Sequence, residues 1–224
     1  MAAVAPLVVR GPSRLLIATV LGALALGALW FILHNAWQYT HYNLQSYTDY
    51  YWPRRGALIP HITGGVIAIS AGLIQLWLGL TNRVGVLHRT LGKVYVLGAL
   101  LGCVGGYYMV LTIPAKYPVY AAGLFMLSTA WLITTSMAIV AIRYRNVAQH
   151  RDWMVRSYTV TFAFVTFRLI DQWLTRSHIA AGDDVDAIMA WACWSVPLLL
   201  AEPLIQLRKL RPGRASIRQR TLTT

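Results

Sequence analysis

Four histidines in this 224-residue chain stand where an imidazole could ligate a metal or exchange protons. His88 and His150 begin two long apolar runs, whereas His34 and His61 lie near the ends of two others. Two imidazoles that face each other across helices at one depth can hold the iron of a b-type haem. The pair His88 and His150 fits this geometry on one side of a membrane, and the pair His34 and His61 fits it less well on the other.

Other polar residues accompany the inner pair of histidines. Gln75 lies near the end of one apolar run, and Arg156 and Glu202 lie at depths where the two could meet. One interpretation is a cofactor site made of His88, His150, Gln75 and Arg156. The other is interfacial anchoring, in which the polar side chains bind lipid phosphates or the carbonyls of a preceding helix.

Arg168 and Asp171 are three residues apart within an apolar run, so they share one helical face. An isolated ion in hydrocarbon is costly, so we predict a buried ion pair that faces the bundle interior. At about 1.5 Å per helical residue, the pair lies in the outer part of the membrane. It could lock its helix to a neighbour, or it could join His34 and His61 in one outer cluster.

The sequence contains little else that indicates chemistry. No HExxH pattern, catalytic triad or Gly-rich phosphate loop is present. We therefore predict no metal other than the iron of a haem. Cys103 and Cys193 lie in apolar runs and are interpreted as packed thiols. Glycines recur at helical spacing in the second and third runs, which predicts close helix packing there.

Six apolar runs position these residues, and each is about as long as the 20 residues that a bilayer requires. They cover residues 15–37, 56–81, 94–114, 117–142, 153–174 and 187–207. The composition agrees, since 57% of residues are apolar and 12% are charged. The first run is too long for a cleaved signal peptide and has no small-residue cleavage site after it. We predict an all-α integral membrane bundle of six transmembrane helices, one domain over residues 1–224 with its core at 56–174.

The formal charge of +13 is distributed unevenly between the two sides of this arrangement. Most of the 20 Lys and Arg residues fall at the ends of the spans on a single side. Cytoplasmic loops are enriched in Lys and Arg, so we predict that both termini are cytoplasmic. The charges suit lipid headgroups and not nucleic acid, and the basic tail at 208–224 is predicted to lie against anionic lipids.

The connection at residues 38–55 is the longest and is rich in Tyr and Trp. Both residue types favour the membrane–water interface, so this aromatic segment is predicted to lie on the outer surface. It could be an aromatic belt alone, or it could form a lid over an outer pocket.

The longest recognisable string is His150-Arg151-Asp152-Trp153-Met154, followed by Arg156, Ser157 and Tyr158. Matching features elsewhere are His61 with the glycines after it, Gln75, the His88-Arg89 turn with Gly92 and Tyr95, Trp131 and Arg168. Through these residues about half of the chain resembles the bacterial family catalogued as domain of unknown function 2306. The resemblance implies a multi-pass protein of the bacterial cytoplasmic (inner) membrane, and it implies no established activity.

Six spans with paired histidines at two levels are also similar in topology to the cytochrome b561 family. That family takes its four haem ligands from the four central helices. The fourth span here, at 117–142, contains no histidine. This departure puts at least one of the two haems in doubt.

Three functions remain open, and the sequence does not decide whether the protein is an enzyme. The first is a site in the core for haem or quinone that supports electron transfer. The second is an accessory or scaffold subunit of a larger membrane complex or homo-oligomer, without chemistry of its own. The third is a transporter or lipid-binding protein that uses Arg168 and Asp171 as a gate.

Overall fold

The computed structural model describes residues 14–179 and 182–209, and within these ranges the chain is helical with no strand. The eight α-helices are α1 Arg14–Phe31, α2 Leu44–Tyr51, α3 Arg55–Leu80, α4 Val86–Leu111, α5 Pro118–Arg143, α6 Val147–Thr161, α7 Ala163–Arg176 and α8 Asp183–Lys209. A π turn at Ile32–Ala36 and a 3-10 turn at Trp37–Thr40 extend α1, and a second 3-10 turn at Trp52–Arg54 joins α2 to α3.

Five helical segments of the described residues are long and apolar enough to cross a membrane. They are Leu15–Thr40, Leu44–Leu80, Val86–Leu111, Pro118–Arg143 and Asp183–Lys209. These segments correspond to five of the six predicted spans. The chain is therefore a multi-pass helical membrane protein, as the apolar runs predict.

The predicted span at 153–174 is not one helix but two, α6 and α7, which meet at Phe162. Neither is long enough to cross a bilayer alone, since they have 15 and 14 residues. No proline or glycine causes the break. On either side of the break, the hydroxyls of Thr161 and Thr166 donate to carbonyls four residues earlier, at 2.8 and 3.3 Å. Such back-bonding bends helices, and hydropathy alone does not reveal it.

Two further boundaries differ from those predicted. The third predicted span corresponds to α4, which begins at Val86, directly after Gly85, and not at residue 94. His88 therefore lies inside the first turn of a helix, where a window that counts apolar residues excludes it. The last helix continues to Lys209, so the first two residues of the predicted tail are helical. The remainder of that tail, residues 210–224, lies outside the described residues.

The long helices alternate in direction, which gives the bundle two chemically different ends. At one end Arg54 donates to the Thr112 side chain over 3.0 Å, and Trp191 donates to the Val119 carbonyl over 3.1 Å. We call this the aromatic end; it contains residues 38–55, 112–117, 177–179 and 182–186. The opposite end contains residues 81–89, 143–151 and 205–209, and we call it the basic end.

Helices α3 and α4 pack with their backbones in contact. A Cβ atom on Gly64 would lie 2.5 Å from the Gly98 carbonyl oxygen and from the Gly102 amide nitrogen. One on Gly98 would lie 2.8 Å from the Gly64 carbonyl oxygen. Because no side chain fits between these positions, the glycine spacing produces the close approach that it predicts.

Candidate functional site

A cavity of about 700 Å³ lies between the helices at the aromatic end. Its mouth is formed by the aromatic segment and by the residues that precede α5 and begin α8, and its floor lies near the middle of α3. The volume is within the range of small-molecule sites, which are usually concave, mostly apolar and equipped with few polar groups. The polar groups in its wall therefore decide which ligands could bind.

His61 is the one histidine of the described residues that lines this cavity. Its Nδ1 lies 2.7 Å from the Gly102 carbonyl oxygen, and its ring packs edge to face on Phe164 at 5.4 Å between centroids. A carbonyl only accepts hydrogen bonds, so Nδ1 carries the proton of the neutral ring. The Nε2 atom then offers a lone pair, and it has no hydrogen-bond partner among the described residues.

Asn35 supplies the complementary group. It belongs to the π turn that extends α1, and such turns are frequent at functional sites. Its Oδ1 accepts a long hydrogen bond of 3.4 Å from Gln172 Nε2. Its Nδ2 is buried without a partner in the described part of the chain, and the residue lines the cavity. An unsatisfied buried donor in a cavity wall is a place where a ligand acceptor would gain a hydrogen bond.

Four buried hydroxyls form a chain beneath the cavity floor. Thr135 contacts Ser157 at 2.7 Å, Ser157 contacts Tyr95 at 2.6 Å, and Tyr95 contacts Thr161 at 2.8 Å. Thr161 also donates to the Ser157 carbonyl at 2.8 Å and lines the cavity. The indole N–H of Trp131 faces the same hydroxyls without reaching hydrogen-bond geometry. The chain ties α4, α5 and α6 together.

The mouth of the cavity is charged with both signs. Arg168, Lys116, Asp183 and Asp186 all line it. The hydroxyl of Tyr117 beside Lys116 raises the pKa of that ammonium group, which therefore stays protonated at neutral pH. The cavity thus changes from charged at the surface to neutral and aromatic in its depth.

The prediction of a buried Arg168–Asp171 ion pair is wrong in one respect. The two side chains meet only at 4.0 Å, and they are 46% and 27% exposed. The Arg168 side chain lines the cavity. Such an exposed contact contributes little to stability.

The aromatic segment forms part of the cavity wall through Tyr39, Tyr50 and Tyr51. Tyr47 lies at its centre with 1% exposure, and its hydroxyl donates to the Tyr39 carbonyl at 2.9 Å. The segment is held at its far end by Arg54, which donates to both the side chain and the carbonyl of Thr112. It therefore packs as a unit over the helices.

His34 does not approach His61. Its ring is exposed, it stacks on Trp30 at 5.8 Å between centroids, and its Nδ1 lies 3.0 Å from the Trp30 carbonyl oxygen. The neighbouring Asn35 faces the cavity instead. The outer pair of histidines therefore does not supply two ligands to one haem in this cavity.

The polar residues that are predicted to form an inner site lie at the basic end, away from the cavity. Gln75 donates to the backbone carbonyl of His88. His150 Nδ1 lies 2.9 Å from the Ala138 carbonyl oxygen, and its ring is close enough to His88 for an electrostatic interaction. The Nδ1 atom of His88 is buried with no partner among the described residues. A haem between these two histidines stays a prediction.

The guanidinium of Arg156, a predicted cofactor-binding residue, forms an ion pair with the Glu202 carboxylate. Arg156 Nε lies 2.9 Å from one carboxylate oxygen, and its Nη2 lies 2.8 Å from the other. The guanidinium also stacks on Trp153 at 4.7 Å. This bidentate pair joins α6 to α8 and leaves the arginine few donors for a ligand.

Sequence reasoning missed Asp152, which is 3% exposed. Its carboxylate accepts from Arg208 at 2.7 Å and from Lys209 at 3.1 Å. The first two residues of the predicted lipid-binding tail therefore bind protein. Asp152 is the single acidic residue between positions 143 and 156, and that isolation among basic residues was the available signal.

No metal site of another kind emerges. Among the described residues, no three His, Cys, Asp or Glu side chains come together as they would around a metal ion. Cys103 and Cys193 are free and buried, each with its sulfur directed at a backbone carbonyl.

Comparison with known proteins adds one finding to this geometry. No curated protein matches the chain, and no solved structure does either. One family model, described as a predicted membrane protein (DUF2306), matches residues 58–205. The match includes His61, Gln75, His88 and His150 but not His34. Because it spans well over half of the sequence, the chain belongs to this family of predicted membrane proteins.

Proposed function

We propose that the protein binds a ring-bearing lipid of the quinone class in the cavity at the aromatic end. The observation that carries this proposal is His61, which offers an unpaired Nε2 to an aromatic-walled cavity deep in the bundle. A quinone-type ring is flat, apolar on both faces and polar only at two opposite oxygens. Aromatic walls pack such a ring, and a few polar groups orient it.

The remaining polar groups of the cavity support the same class of ligand. Asn35 offers a donor at another part of the wall, so the site contains both an acceptor and a donor. A haem held by two histidines would require two imidazoles, and among the described residues one histidine lines the cavity. A quinone-type lipid requires hydrogen-bond partners only.

The charge distribution suggests an orientation for this site. Lys and Arg side chains are concentrated at the basic end, and cytoplasmic loops carry such an excess. We propose that the basic end and both termini are cytoplasmic and that the cavity opens toward the outer leaflet of a bacterial cytoplasmic membrane. A lipid-soluble ligand would then reach the cavity from that leaflet.

Calorimetric titration of the purified protein with a short-chain benzoquinone and with its quinol, under anaerobic conditions, tests the proposal. We expect saturable binding of at least one form. His61→Asn should weaken the tighter of the two by roughly 3- to 10-fold, because one hydrogen bond contributes about 0.5–1.5 kcal/mol net. The asparagine amide can still donate to the Gly102 carbonyl, so the fold should persist.

His34→Asn is the matched control, since it makes the same change at an exposed histidine outside the cavity. It should leave both affinities unchanged. No saturable binding of either form to the unmodified protein would contradict the proposal. An equal loss of affinity in the two variants would contradict the assignment to His61.

A further inference from the structure

Two polar groups deep in the cavity, those of His61 and Thr161, present lone pairs and not protons. His61 donates from Nδ1 to the Gly102 carbonyl, so its Nε2 is an acceptor as long as the ring is neutral. A protonated ring would be a charge deep in the bundle. The described residues place no carboxylate in ion-pair contact with His61, and its neighbours are Gly102, Gly105, Gly106 and Phe164. An unpaired buried charge is costly, so the neutral acceptor form is favoured.

Thr161 also offers a ligand a lone pair and no proton, for a different reason. Its hydroxyl donates to the Ser157 carbonyl, because that oxygen can only accept. Each hydroxyl has one proton, so Tyr95 must donate to Thr161, Ser157 to Tyr95, and Thr135 to Ser157. The direction of the whole chain is thereby determined. It leaves Thr161 without a proton for a ligand.

We infer that the cavity selects its ligand by a ring hydroxyl, and that it binds the quinol form of a quinone-type lipid in preference to the quinone. This inference rests on the proposed function and names the form of the ligand. A quinol O–H can donate to Nε2 of His61. A quinone carbonyl in the same place would set two acceptors against each other and leave both unsatisfied.

Asn35 does not cancel this preference. Its unpaired Nδ2 is a donor, and a hydroxyl oxygen accepts hydrogen bonds as readily as it donates one. The quinol can therefore satisfy both His61 and Asn35, whereas the quinone can accept from Asn35 but cannot donate to His61. The preference comes from the backbone carbonyl of Gly102, which sets the tautomer of the imidazole.

The test compares the dissociation constants of one short-chain benzoquinone and of its quinol for the protein in detergent, without oxygen. We expect the quinol to bind about 10-fold more tightly, since a buried acceptor left without a donor loses more than a single hydrogen bond is worth. A second pair, the quinol and its dimethyl ether, is not interconverted by oxidation or reduction and should show the same order. The ether has the same ring and lacks the proton.

His61→Gln provides the sharper variant, because its amide can turn an N–H toward the ligand. The ratio of the two dissociation constants should fall to near one. His34→Gln, the same change at the exposed histidine, should leave the ratio unchanged. Equal binding of quinol and quinone to the unmodified protein, or tighter binding of the quinone, would overturn this inference and leave the proposed function standing. Absence of binding by both would overturn the two together.

Discussion

The charged side chains of the basic end and the polar groups of the cavity at the aromatic end differ in their bonding. At the basic end Arg156 is paired with Glu202, and Asp152 with Arg208 and Lys209. At the aromatic end the polar atoms of His61 and Asn35 that face the cavity lack partners among the described residues. Saturated pairs hold helices together, whereas unsatisfied groups beside open space are available to a ligand. Polar residues inside spans are thus of two kinds, those that have bonding partners within the protein and those that lack them. The presence of a partner distinguishes the two kinds better than depth in the membrane does.

The largest effect that this comparison predicts is on stability, at the basic end. Glu202→Gln leaves the guanidinium of Arg156, whose side chain is 15% exposed, without its charged partner. Hydrogen bonds to charged groups contribute about 1.5–3 kcal/mol, so we expect a loss of about 2 kcal/mol in unfolding free energy. Reversible denaturation in mixed micelles measures it.

Asp49→Asn is the control for that substitution, because it makes the same chemical change at an exposed carboxylate of the aromatic segment. It should change stability by less than about 0.5 kcal/mol. Quinol affinity should be the same in both variants. Loss of affinity in Glu202→Gln without loss of stability would show that the two ends are not separate in function.

A smaller effect is expected from Arg168→Gln. The contact with Asp171 is half exposed and measures 4.0 Å, and exposed pairs contribute at most about 1 kcal/mol. A buried locking pair would instead lose about 3–5 kcal/mol on removal of one partner. Thermal unfolding of this variant distinguishes an exposed contact from a buried locking pair. Arg176→Gln, at an exposed arginine of the same helix, is the control.

The smallest expected effect concerns the histidines of the basic end. We expect His88→Ala to leave quinol binding unchanged, because neither His88 nor His150 lines the cavity. A Soret band that sharpens on reduction by dithionite, and that disappears in His88→Ala, would establish a b-type haem. It would also show that the basic end binds a ligand, so that the two ends would no longer differ in this respect.

Much of the fold could be predicted because hydropathy responds to length and composition, which the apolar runs supply directly. The break at Phe162 could not, since the apolar run continues through it and no proline or glycine marks it. The start of α4 was missed because His88 and Arg89 lower the apolar count, although a helix tolerates both residues.

The candidate site could be predicted only in part, for a reason that His34 and His61 illustrate. Sequence places both near one end of the bundle, but the direction of each ring depends on helix rotation. The π turn at Ile32–Ala36 shifts that rotation, so Asn35 and not His34 meets the cavity. The tautomer of His61 depends on a backbone carbonyl 41 residues away, which side-chain identity does not encode.

The glycine contacts between α3 and α4 restrict how a ligand could reach the cavity. Helices α3 and α4 are in backbone contact at Gly64 and Gly98, so rotation of a side chain cannot open a path between them there. The aromatic segment contains Thr48 with φ of 57°, an unusual conformation for a β-branched residue. Access rates should therefore respond to substitutions in residues 38–55 and not to substitutions on the outer faces of α3 and α4.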